Sequence, residues 1–127
     1  MTSYNFEQVM NEYAFTHLIC DGNQPLITNA SLEEEAMLYN LKPEVLHKVI
    51  TLFKQITDKE ITPETDISQL SGGQKVVLMI LLAIHSKADK ILMLNAKSAL
   101  DPERSDAVQT LIKQFQASKQ EILQLDL

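Results

Sequence analysis

Nine consecutive apolar residues, Val76 through Ile84, fill the stretch between Gly73 and His85. Read as a helix, this stretch is apolar nearly all round. Such a helix has no face to give to water, so it belongs in the interior of a domain with other elements on most sides. The run falls far short of the ~18 residues of a membrane span, and no direct membrane insertion is expected.

The neighbouring segments supply the elements that bury it. Lys90 to Asn95 is a short continuous apolar run of the kind found in buried parallel strands. Asp101-Pro102-Glu103 is a strong helix start, with Asp as N-cap, Pro at the first helical position and an acid in the first turn. The helix it opens turns Ala107, Val108, Leu111, Ile112 and Phe115 inward and ends near Ser118. Glu121 to Leu127 alternates and reads as a strand.

Upstream, Phe6 to Tyr13 reads as a short helix and Phe15 to Cys20 as a strand, followed by a turn at Asp21-Gly22-Asn23. Ser31 with Glu34 is a capping-box pattern. Glu33-Glu34-Glu35 reads as the solvated start of the helix it opens, which ends near Asn40. A second helix begins near Pro43, with Val45, Leu46, Val49, Ile50, Leu52, Phe53 and Ile56 on one face. Residues 57–66 are polar and turn-like. Strands separated by helices define a small α/β domain with a parallel sheet. The whole of 1–127 forms one domain, with a helical subdomain at about 30–72 and the remainder at about 73–127.

Length and composition fit this picture. The 127 residues suffice for a hydrophobic core without staples. The net charge of −6, with only 11 scattered basic residues, argues against nucleic-acid binding. Cys20 is the only cysteine, which excludes a disulfide framework and a cysteine metal site and fits the cytoplasm. The first seven residues lack the basic flank and apolar run of a signal peptide.

Leu70-Ser71-Gly72-Gly73-Gln74 is the segment with chemistry. Two glycines let backbone approach a ligand closely. Ser71 adds a hydroxyl, and a helix begins there, so unpaired N–H groups and the positive dipole end make a place for an anion such as phosphate. The same residues also read as a plain serine-capped helix.

These five residues are the signature of ATP-binding-cassette (ABC) ATPases, and their surroundings resemble that family too. An apolar strand, Ile91-Leu92-Met93-Leu94, follows where the family has its Walker B strand. Ser98-Ala99-Leu100-Asp101 matches the D-loop letter for letter. Upstream, Asn23 and Gln24 fall near the position of the Q-loop glutamine. The resemblance spans roughly residues 15–125 and is sharpest over 67–104. It implies a truncated ABC-ATPase-like fold related to the P-loop NTPases.

Departures from the family pattern are as informative. No Gly-x-x-x-x-Gly-Lys-[Ser/Thr] phosphate loop occurs, and all three glycines stand elsewhere, at 22, 72 and 73. Asn95 and Ala96 replace the two Walker B acids that serve Mg²⁺ and the attacking water. The loop to Ser98 is one residue short, and the switch histidine after the last strand is missing. The resemblance therefore implies a pseudo-ATPase with no catalytic residues, no metal and no cofactor in cis. What survives is the signature, which in ABC dimers covers ATP held by the other subunit. The implied partner is an intact ABC ATPase subunit, or a second copy of this chain.

The alternatives are a nucleotide-independent homodimeric scaffold, the remnant of a truncated ABC gene, and residual ATP binding at an unrecognised site. A transporter, translation-factor or chromosome-organising ancestry is equally compatible with the motifs. His17, His47 and His85 are too dispersed for a metal set. Cys20, Met37, Met79 and Met93 read as core, and Lys75 as surface. The missing nucleotide-binding lobe is expected to leave a sheet edge and apolar surface bare, which a dimer or partner would cover.

Overall fold

A computed structural model describes residues 5–127; the first four residues of the segment judged for a leader lie outside them. In chain order the elements are α1 (Phe6–Tyr13), β1 (Leu18–Asp21), α2 (Leu32–Leu38), α3 (Pro43–Thr57), α4 (Gly72–His85), β2 (Lys90–Leu94), α5 (Pro102–Gln116) and β3 (Glu121–Leu125). The three strands form one parallel sheet in the order β1-β2-β3, with Cys20 beside Met93 and Met93 beside Gln124. This is the α/β architecture expected from strands separated by helices.

Local chemistry sets the element ends. Asn5 and Gln8 cap α1 reciprocally, each side chain taking the other's backbone N–H. The strand expected from Phe15 begins only at Leu18, because the amides of Thr16 and His17 fold back on the Tyr13 carbonyl at 3.1 and 2.9 Å. That turn leaves Phe15 fully exposed. Ser31 accepts the Glu34 N–H but receives nothing back from the Glu34 side chain, so the box is half formed. α3 opens on Pro43 and stops at Asp58, whose φ of 61° is left-handed.

The apolar helix lies where its composition demands. Every residue of α4 from Val76 to Ile84 is at most 2% exposed. It packs with α3, α5 and one face of the sheet in a core that includes Val49, Phe53, Ile67, Met93 and Ile112. The period-two alternation of the strands sends Ile91 and Met93 to that face and Leu92 and Leu94 to the other.

The other face differs from expectation. It is not bare: α1 lies over it, with Val9 completely buried against Leu92 and Leu94 and with Tyr13, Ile19, Leu123 and Leu125 around them. An apolar position every few residues is enough for this, and burying one valine contributes about 1.5–3 kcal/mol. Among the described residues no strand pairs with the outer edge of β1 or β3.

Three side chains also depart from their sequence reading. Ala107 is exposed, because α5 presents Val108, Leu111 and Ile112 to the core and Ala107 falls off that stripe. Met37 is 66% exposed near the end of α2 instead of filling the core, whereas Met79 and Met93 do fill it. Glu35 is not part of a solvated helix start but fully buried. Its carboxylate accepts the Ile27 N–H, the Thr28 N–H and the Thr28 hydroxyl, all at 2.8 Å.

Candidate functional site

The signature segment forms the beginning of α4. A 3-10 turn over Ile67–Gln69, capped by Asp66, delivers Leu70 into the core, where it is 6% exposed, and leaves Ser71 outside. Hydrogen bonds from Ser68 hold the Asp66 carboxyl below its usual range. Ser71 is the N-cap: its Oγ accepts the Gln74 N–H at 3.2 Å, and the Gln74 Oε1 accepts the Ser71 N–H at 2.9 Å. Within the described residues the N–H groups of Gly72 and Gly73 are left unpaired, as at any helix start.

The two glycines have different surroundings. A Cβ on Gly73 would stand 3.1 Å from the Arg104 guanidinium, so α5 comes close to α4 there. A Cβ on Gly72 would meet nothing within 4 Å. Arg104 in turn lies 3.8 Å from the Asp101 carboxylate. The signature is thus brought beside the D-loop candidates. Lys97 to Ala99 make a 3-10 turn, and Ser98 and Ala99 are exposed. Leu100 packs on the core, and Asp101 caps α5 by accepting the Arg104 N–H at 2.9 Å.

Asn95 and Ala96, and Gly22 with the turn to Gln24, come together at the carboxyl end of the sheet, where open α/β sheets place their ligands. Here the space is used for structure. Asn95, with a φ of 53°, accepts the Leu127 N–H on its Oδ1 at 2.7 Å, while its own N–H donates to the Leu125 carbonyl. Ala96 is 3% exposed. Gly22 packs its backbone directly on them: a Cβ there would fall 2.7 Å from the Asn95 carbonyl carbon and 2.9 Å from the Ala96 Cα. Asn23 and Gln24 are exposed in the turn beyond, which Asp21 closes by accepting the Asn23 N–H on its side chain and the Gln24 N–H on its carbonyl. A cavity of about 210 Å³ opens at this corner beside Ala96 and Lys97.

At Asn95 and Ala96 this corner presents an amide and a methyl, neither of them the carboxylate oxygen that Mg²⁺ prefers; the one carboxylate lining the cavity is that of Asp126. Among the described residues no three His, Cys, Asp or Glu side chains gather as a metal set. Cys20 lies in the core, and burial pushes its thiol up to about 12. The larger cavity, about 590 Å³ at the end of α3, shares no residue with the motif positions.

Sequence reasoning placed Gly22 only in a turn and Glu35 only in a solvated run, and gave Arg104 no role. Only Gly22 carried a signal, as a glycine directly after a strand in a chain with two others.

No protein-family model and no curated protein matches the chain. Among solved structures it is similar to a metal-chelate type ABC transporter in an inward-facing conformation, with a TM-score of 0.62 and 17% identity over 88% of this chain. The match covers 48% of that protein's chain, so the present chain spans about half its length. At this identity the likeness establishes the fold, a partial ABC-ATPase-like α/β domain. No helix among the described residues is long and apolar enough to cross a membrane.

Proposed function

We propose that this chain is a catalytically degenerate, ABC-type interaction protein. It offers the first turn of α4 in trans to ATP held by an intact ABC ATPase subunit and hydrolyses none by itself. Gly72 is the observation that carries this reading. Gly72 is the first residue of α4, and apart from its chain neighbours and its own helix backbone no atom of the described residues lies within 4 Å of where a side chain would be. The fold has no internal use for glycine at 72, whereas a phosphate approaching the backbone from outside would need it. The positive end of the 14-residue helix behind it favours an anion.

In this reading Ser71, Gly72, Gly73 and Gln74 face the partner's nucleotide. Ser98 through Asp101 form the adjoining contact surface. Any metal belongs to the partner's site. The acidic net charge supports a protein partner over nucleic acid, and a lone buried free cysteine fits the cytoplasm.

One observation favours a second reading, a nucleotide-independent homodimeric scaffold: Ser71 and Gln74 already satisfy each other within the chain. The deciding experiment is a pull-down of the tagged chain from its own source cells, with and without a non-hydrolysable ATP analogue, read by mass spectrometry. The trans-signature reading expects an intact ABC ATPase captured only with nucleotide, and its loss with Ser71→Arg while circular dichroism is unchanged. Capture of nothing but the chain itself in both conditions would replace it with the scaffold. Loss of fold in Ser71→Arg would show that the capping bonds of Ser71 are needed for stability, and Gly72→Ala would then carry the test.

A further inference from the structure

We propose that α1 is a lid on the second face of the sheet, opening and closing while the rest of the domain stays folded. Three observations carry this. First, the apolar cluster under α1 is separate from the main core and receives from the helix one fully buried side chain, Val9, while Phe6 at the other end is 53% exposed. Second, no strand pairing runs through α1: β1, β2 and β3 pair only with one another, so departure of the helix breaks none of the ladder hydrogen bonds.

Third, the joint between lid and sheet is imperfectly closed. His17 follows the turn after α1, with its side chain 6% exposed and its ring edge-on to Tyr13 at 5.0 Å. Its Nδ1 engages the Thr16 hydroxyl at 2.7 Å. Its Nε2 is buried 3.4 Å from the Glu121 carboxylate and makes no hydrogen bond among the described residues. A buried polar atom without a hydrogen bond is a cost that hydration on opening removes. Elements held by few apolar contacts are those that open below the global unfolding limit. Opening uncovers Ile19, Leu92, Leu94, Leu123 and Leu125, the apolar side chains that the closed helix keeps from water.

Native-state thiol labelling tests the lid, because the chain carries its own clock. Cys20 is 3% exposed in the main core and becomes reactive only when that core opens. In Val9→Cys, each thiol's labelling rate is divided by its rate in the denatured chain. The lid predicts that the thiol at position 9 reacts more than about tenfold faster than Cys20 in the same folded molecules. Equal rates would show that α1 leaves only when the whole domain unfolds, and would overturn the proposal.

Because Val9→Cys itself weakens the contact, amide hydrogen exchange on the unaltered chain is the second measurement. The expected result is faster exchange for amides of residues 9–13 than for those of Ile91 to Leu94. Equal protection of both segments would overturn the lid regardless of the labelling result.

Discussion

The Glu35 carboxylate grips Thr28 twice, through its backbone N–H and its hydroxyl, both at 2.8 Å. With the Ile27 N–H as a third donor, one buried side chain on α2 fixes the loop that follows β1. Glu35→Ala is expected to destabilise the chain by about 2–3 kcal/mol, since three part-buried donors lose one buried, charged acceptor. Thr28→Val, which removes only the hydroxyl donor, is expected to cost about 1 kcal/mol. Urea denaturation midpoints at constant slope compare the two. Equal costs would mean that the backbone donors find another acceptor.

Gly22 and Gly72 are expected to respond oppositely to alanine. Gly22→Ala drives a methyl into the Asn95–Ala96 backbone and should cost about 2 kcal/mol or more. Gly72→Ala meets open space and should leave stability unchanged or raise it by up to about 1 kcal/mol. The same substitution should abolish nucleotide-dependent capture of a partner. Thermal denaturation and the pull-down together read both effects; a Gly72→Ala chain that still captures its partner would remove the main support for the trans-signature reading.

At the end of α4, burial disfavours the charged form of His85. Burial lowers its pKa, the neighbouring Lys48 and Lys119 add to that, and the Leu81 carbonyl opposes it. The unfolded chain then takes up this proton first as pH falls, starting near the ordinary value of 6.5. Stability from this group is therefore full above that pH and is lost as pH drops through the lower folded-state value. Denaturation midpoints for the native chain and His85→Gln, measured across pH 7.5 to 5, should converge as pH falls if the rest of the protein titrates alike. Parallel curves would show that His85 does not carry this dependence.

Asn95 works as a clasp and also occupies left-handed backbone, a combination that suits asparagine. Asn95→Ala should cost about 1–2 kcal/mol, from the lost bond to Leu127 and the positive φ together. Asn95→Gly keeps the conformational freedom and should cost less. If both cost the same in urea denaturation, only the hydrogen bond matters.

What could be read in the sequence was local and periodic. Ser71, Asp101 and Pro102 announce helix starts because caps act within one turn, and Val76–Ile84 announces burial because it leaves no polar face. Glu35 was illegible: its partners stand in a loop seven and eight residues back, so only an acidic run was visible. The destination of α1 was equally hidden, since one face with Val9 and Tyr13 does not say which sheet surface receives it. Gly22 and Asn95 meet only because two parallel strands end at the same level. Among the site positions, the sequence identified Ser71 and Asp101 as caps, while the pairing of Gly73 with Arg104 depends on how α5 is laid across α4.

Because α4 is walled in from Val76 to Ile84, a load applied at Ser71 has no soft place to dissipate along the helix. Its far end is pinned as well: the Lys119 ammonium donates to the Ser86 and Ala88 carbonyls at 2.6 and 2.7 Å. The helix is thus held along its buried length by α3 and β2 and just past its end by Lys119, with its first turn left as the exposed end.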